Sequence, residues 1–434
     1  MSISQIRTHL PPLGVVLLLG LVARVAWIAW IHPDPTDGRF DDTQWYRGAA
    51  HYFASGDGYV NPFSGTPTAA WPPGYPVFLG SVFSIFGEGL AQTYAANIVL
   101  SLATIVVVYC IGLVAFNRTT ALVAAAALAL WPGQIYFTSL TLSEPLFTFL
   151  FACAFLLMLM VSRADRSRLR LSVAFGVVTA LATLTRGQAA ILIPLFTIMW
   201  LLQGVRWQEA IGWTALAALV MCAVIAPWVV RNEQKLGSPV IIATNLGPNV
   251  WIGHHDGASG RMSIDAPEPP QPRDRGQLSQ PRIEVEADLL ALRLGLEYML
   301  THPAEEVRLS LIKLRAMYES DATALDWNSG YTAGYYESDA IELALRRLAN
   351  GFWFATVGLA AVGIVASRGA LRGPAGMLIV VVVAWTASHL LFFGDARFHY
   401  PIAFAIALLG ARGLLVVSEA LRREPSLDAE YAAA

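Results

Sequence analysis

Two adjacent carboxylates, Asp41 and Asp42, stand in FDDTQWYRGAAHYF (40–53), directly after an apolar run long enough to cross a bilayer. A carboxylate within hydrogen-bond reach of a hydroxyl can take its proton as the oxygen attacks. Aspartate is also a strong helix N-cap, and a helical pattern begins here, with Trp45, Ala49, Tyr52 and Phe53 on one face and Arg47 and His51 elsewhere. Capping accounts for one acid of the pair. The second costs solvation beside lipid unless it is partnered. A third acid, Glu144, lies in TSLTLSEPLFTFLF (138–151). Ser143, Glu144 and Pro145 suit the start of a helix, and Glu144 would also face the same outer cavity as Asp41.

The cations fit an anionic substrate on that side. Arg186 lies in TLTRGQAAILIP (183–194), Arg231 in APWVVRNEQKLG (226–237) and Arg397 in FFGDARFHYPIAF (392–404). Each can simply snorkel to the interface, but a cluster of them matches phosphate oxygens bidentately. Of 29 basic residues only Lys235 and Lys313 are lysines, and both fall in one long loop, so Lys313 joins the candidates. Arg24, inside the first apolar run, must pair or face water, and Asp41 or another outer acid is the expected partner. His254, His255 and Asp256 in IGHHDGASG (252–260) lack zinc spacing, because adjacent histidines do not share a helix face and no second ligand pair follows. No Walker loop or GxGxxG motif is present, so no nucleotide site is indicated. No cofactor is called for, and a divalent cation has no support.

These residues need a membrane scaffold to hold them. The chain has 434 residues, 56% hydrophobic and 14% charged, with mean hydropathy +0.53. A soluble domain carries about 25% charge. The net charge of −2 gives no case for nucleic acid. Cys110, Cys153 and Cys222 all fall in apolar runs and read as core residues. About ten apolar runs are expected to span, near 12–31, 91–116, 119–132, 143–162, 171–185, 188–203, 208–230, 349–367, 374–393 and 399–417. The segment 74–86 is too short and reads as re-entrant or interfacial. With the N-terminus inside, twelve arginines fall in short inner loops and termini, against Arg39, Arg47, Arg186 and Arg397 outside.

The resulting division has three parts. Residues 1–230 form an N-terminal transmembrane region with a first outer loop (32–90) carrying the acid pair. Residues 231–348 form a long outer loop, and residues 349–434 a C-terminal transmembrane region and cytoplasmic tail. Within the long loop, 266–281 is proline-rich and polar, the composition of a mobile linker. Residues 284–318 read as amphipathic helix interrupted at Pro303.

Five stretches, in order, resemble bacterial polytopic glycosyltransferases of the GT-C fold, the family 39 type related to protein O-mannosyltransferases and to the aminoarabinose transferase of lipid A. They are FDDTQWYRGAAHYF with WPPGYP (71–76), SLTLSEPLFTFL, LTRGQAAILIPL, APWVVRNEQKLGSPVIIATNLGPNVWIGHHDGASG and GDARFHYPIAFAIALLGARG. Trp71 stands where relatives usually have His, and His254 and His255 stand where they carry Gly-Asn-Asn. The resemblance implies an all-α bundle in the bacterial inner membrane, working on its extracytoplasmic face. It would transfer a sugar from a polyprenyl-phosphate donor to a glycan, lipid or protein acceptor. The family's base lands on Asp41 and its second acid on Asp42. Glu144, Tyr75 and His51 are then expected at the acceptor or sugar, and Arg186, Arg231, Lys313 and Arg397 at the lipid phosphate. The rival from another class is a transporter or flippase of lipid-linked sugar, which would place its site near the bilayer midplane, often between inverted repeats.

Overall fold

A computed structural model of the chain describes residues 3–34, 41–163, 166–263, 267–268, 270–272, 276, 278–331, 338–370 and 372–423. Arg39 and part of the proline-rich stretch 266–281 lie outside the described residues. The fold is all-helical. Its helices are α1 (Ile3–Ile31), α2 (Asp42–Ala54), α3 (Gly74–Phe86), α4 (Leu90–Ala115), α5 (Arg118–Leu130), α6 (Pro132–Tyr136), α7 (Glu144–Arg163), α8 (Arg168–Thr185) and α9 (Leu192–Leu202). They continue with α10 (Trp207–Leu236), α11 (Leu246–Gly253), α12 (Gln280–Thr301), α13 (Pro303–Tyr318), α14 (Thr323–Tyr331), α15 (Asp339–Ala366), α16 (Pro374–His389) and α17 (Ala403–Arg423).

Among the described residues seven helices are long and apolar enough to cross a membrane, or eight if a bent pair counts as one span. Three of the ten expected spans fall short of that measure. The 119–132 run stops at Leu130, because Pro132 follows and the chain restarts at 55° as Pro132–Ser139. At 13 residues α5 is roughly 20 Å long, against ~30 Å of hydrocarbon. The 188–203 run opens with a 3-10 turn, Gly187–Ile191, before α9, and the 374–393 run ends as a helix at His389. As expected, 74–86 is a short apolar helix, α3, and Pro303 divides α12 from α13.

Burial separates core from periphery. The apolar window of the span Ala396–Arg422 is 67% buried, whereas that of α10 is 11% buried. Exposed Val15, Leu18, Leu19, Val22 and Val25 on α1 form the apolar outer surface that lipid tails cover. α15 and α17 cross closely because Gly363 meets the Leu409 carbonyl and Gly413 meets the Leu359 carbonyl, where a Cβ would come within 2.0 and 1.9 Å. Arg24 does not find an acid. Its guanidinium donates to Ser101 Oγ at 2.8 Å and to the Gly20 and Ala129 carbonyls at 2.9 Å, so hydroxyl and backbone oxygens satisfy it instead of Asp41.

The long loop folds back onto the first loop. Glu284 of α12 accepts from Thr68 Oγ1 at 2.6 Å, the Ala69 amide at 2.8 Å and Thr244 Oγ1 at 2.6 Å. A single carboxylate therefore joins three chain segments and holds the two loops in register.

Candidate functional site

Asp41 and Asp42 have different jobs. Asp41 is the N-cap of α2: its backbone is extended (φ −145°, ψ 178°) and its Oδ1 accepts from the Gln44 amide at 3.0 Å. Asp42, the first helical residue, accepts from Arg397 Nη1 at 3.1 Å. The helix is anchored by Trp45, Tyr46, Ala49 and Ala50, all buried, with Trp45 stacked on Trp71 at 4.4 Å between centroids. It ends in the expected turn, where Gly56 and Gly58 adopt φ of +88° and +82°, a region that favours glycine.

Arg397 is delivered by the 3-10 turn Ala396–Ile402, which Asp395 caps through the Arg397 amide at 2.8 Å. Its guanidinium lies over Trp327 at 5.9 Å and Phe398 at 5.8 Å. The second acid–arginine pair lies alongside. Arg186 ends α8, and its Nη2 donates to Glu144 Oε1 at 2.5 Å while Nε donates to Ser143 Oγ at 3.0 Å. Glu144 is fully buried at the start of α7, as the helix-start residues predict. Tyr46 joins α2 to the second pair, since its hydroxyl donates to Ser143 Oγ at 3.4 Å. Burial, reinforced by the Asp42 charge, pushes this phenol well above its ordinary range, so it stays a donor.

Polar atoms on these elements are left without partners inside the protein. Gln44 Nε2, Trp45 Nε1, Tyr75 Oη, Glu144 Oε2 and Arg397 Nε are all buried and make no hydrogen bond. Orphaned groups are normally few and scattered, and each loses about 1–3 kcal/mol of desolvation without return. These five sit on α2, α3, α7 and the Ala396–Ile402 turn, where water or a polar ligand can complete their bonding, while others, on Ser172, Thr179 and Trp200, lie elsewhere in the bundle. Tyr75, one of the five, is buried edge-on against Tyr46 at 5.2 Å.

Three expected residues lie apart from this cluster. His51 is exposed on the far end of α2, paired with Glu88 at 2.7 Å. Arg231 staples the first loop: it donates to the Thr68 carbonyl at 2.7 Å and to the Tyr59 carbonyl, and packs over Trp228. Lys313 is buried, donating to His254 Nε2 at 2.8 Å and the Leu390 carbonyl at 3.2 Å. That contact leaves the His254 proton on Nδ1, facing the Glu306 carboxylate at 2.9 Å. Burial, with Lys313 close by, lowers the His254 pKa below its ordinary value. His255 is spent on the Trp251 carbonyl at 2.9 Å. Sequence reading missed Tyr46 and Ser143 as bridging groups. Their only signal was proximity to the acids, which many residues share.

Comparison with known proteins follows the same outline. Residues 70–230 match the family described as dolichyl-phosphate-mannose-protein mannosyltransferase. No curated protein matches by sequence. The archaeal oligosaccharyltransferase AglB from Archaeoglobus fulgidus superposes with TM-score 0.56 at 16% identity, over 97% of this chain and 51% of that one. Its apo form gives 0.56 at 16%, over 95% and 51%. ArnT from Cupriavidus metallidurans in the apo state gives 0.44 at 17%, over 92% and 77%. The chain thus spans about half the length of AglB. It has the helical GT-C-type fold that its sequence suggested.

Proposed function

We propose that the chain is a membrane glycosyltransferase that moves a sugar from a polyprenyl-phosphate donor to an acceptor hydroxyl or amine on the extracytoplasmic face, with inversion. One observation carries this reading: at one end of an apolar bundle Asp42 holds Arg397 and Glu144 holds Arg186, two arginines from opposite halves of the chain, with Asp41 capping the helix that Asp42 begins. A transporter would set its charges near the midplane instead. The family match over 70–230 supports a lipid-phosphate sugar donor. So does AglB, a structure of which contains a dolichol-phosphate.

The residues divide the work as follows. Asp41 accepts the proton of the acceptor hydroxyl as its oxygen attacks the anomeric carbon, and the carbon–oxygen bond to the phosphate breaks on the opposite face. The polyprenyl phosphate leaves with the electron pair. Phosphate is a good leaving group and needs charge stabilisation more than a proton, and Arg397 and Arg186 supply it. Asp42 and Glu144 aim those arginines, and the unpartnered Glu144 Oε2 and Tyr75 hydroxyl take the sugar's hydroxyls. An apolar groove of about 640 Å³ between α3 and α4, lined by Phe78, Val82, Phe86, Ala95 and Val99, begins one turn beyond Tyr75 and suits the lipid tail.

Asp41→Asn tests the base. Asparagine caps a helix as well as aspartate, so α2 and the melting temperature are expected to hold while transfer falls ~100-fold or more. Polyprenyl-phosphate sugar should still raise the melting temperature of the variant. Full transfer activity would remove Asp41 from the mechanism.

A further inference from the structure

Two buried titratable side chains take no part in the chemistry above. His399, 2% exposed, lies in the turn Ala396–Ile402, and Asp321, 6% exposed, joins α13 to α14. His399 Nδ1 sits 2.7 Å from the Met317 carbonyl, and Nε2 sits 2.9 Å from Asp321 Oδ1. A carbonyl can only accept, so Nδ1 carries a proton, and Nε2 faces the carboxyl. The ring lies flat on Trp353, with centroids 3.9 Å apart and planes 16° apart. Asp321 Oδ2 accepts from Trp131 Nε1 at 2.8 Å, and the Asp321 amide donates to Asn350 Oδ1 at 2.8 Å. Gly133 packs so closely on this carboxyl that a Cβ there would come within 2.4 Å of Oδ2.

Asp321 thus ties its own segment between α13 and α14 to three other places in the fold: through its carboxyl to the α5–α6 bend and to the turn that carries Arg397 only two residues before His399, and through its backbone amide to Asn350 in the body of α15. The Arg397 turn is a 3-10 segment containing Pro401, and tertiary anchors hold its direction: Asp321 at His399, and Trp385, whose Nε1 donates to the Phe398 carbonyl at 2.7 Å. We propose that the Asp321–His399 pair is a positioning device that sets Arg397 onto Asp42. This rests on the reading of Arg397 as a phosphate-binding group for its consequence in turnover, but not for the positioning itself.

Two substitutions separate positioning from mere stability. In Asp321→Asn, the amide nitrogen donates to a neutral His399 and the amide oxygen still accepts from Trp131. In Asp321→Ala both bonds are lost. The Asp42→Asn and Arg397→Gln double-mutant cycle on melting temperature reads the contact directly, without reference to activity. The coupling is expected in the native chain and in Asp321→Asn, and should fall by more than half in Asp321→Ala. If Asp321→Ala does not fold, His399→Gln carries the same cycle with the same expectation. Coupling that persists undiminished in a folded variant overturns the proposal. In sugar transfer, Asp321→Ala combined with Arg397→Gln should be no slower than Arg397→Gln alone, and Asp321→Asn should rescue the rate lost in Asp321→Ala. Multiplying defects would make the pair a stabiliser only. If the native chain transfers no sugar, the functional reading fails while the melting cycle still decides the positioning.

Discussion

Lys313 is almost sealed from water, and burial pulls its ammonium from an ordinary 10.5 down to about 8. Between those values the unfolded chain holds a proton that the folded chain has released, so stability rises with pH from about 8 to 10.5. The full gain is roughly 3 kcal/mol at ~1.4 kcal/mol per unit. Lys313→Met should remove this rise, read as the difference between the melting curves of the two proteins across that window. A parallel rise in both would show that Lys313 is not its source. Residue types at this scale were legible in the sequence, but partners were not. The acids at 41, 42 and 144 and the arginines at 186 and 397 stood out by type, yet the Asp42–Arg397 contact joins positions 355 apart and no local spacing encodes it. Arg231 and Lys313 looked equally available for phosphate. Only tertiary packing shows one spent on backbone carbonyls and the other on His254.

Helices of low polarity were predictable from periodicity, and so was the division of α12 from α13 at Pro303. Broken spans were harder, because a short apolar run gives the same signal whether it crosses the membrane or bends at its end. Trp131–Pro132 is a case where the bend does the placing, since it presents the Trp131 indole to Asp321. The contact between α2 and α3 is the element-scale feature on which the site most depends, because α2 carries the acid pair and α3 carries Tyr75. Their axes approach through Gly80, where a Cβ would stand 2.7 Å from the Ala50 carbonyl and 2.8 Å from the Phe53 ring. Backbone cannot yield as a side chain does, so Gly80→Ala should push the helices apart, at a cost of about 1–3 kcal/mol. Gly212→Ala, in open space on α10, should be neutral or slightly stabilising. Thermal melting compares them, and equal behaviour of the two variants would deny the α2–α3 contact its role.

For the whole molecule the decisive property is which end faces out. The alternation of spans puts the acid cluster, the Ala396–Ile402 turn and α11 to α14 at one end, while the other end carries Arg168 paired with Glu209 and lying over Trp200 and Trp213. In the proposed reading the excess of arginines puts that second end in the cytoplasm. A lipid-linked sugar would then meet the acids from the outer leaflet, its phosphate at headgroup depth beside Arg397 and Arg186. In a chain cleared of Cys110, Cys153 and Cys222, Asp57→Cys, exposed in the turn after α2, should react with a membrane-impermeant maleimide in intact cells. Arg206→Cys, exposed just before α10, should react only after the membrane is opened. The reverse pattern would place the acids on the cytoplasmic side. A donor presented in the outer leaflet would then have no route to Asp41, and the proposed reaction would fail whatever the cluster's geometry.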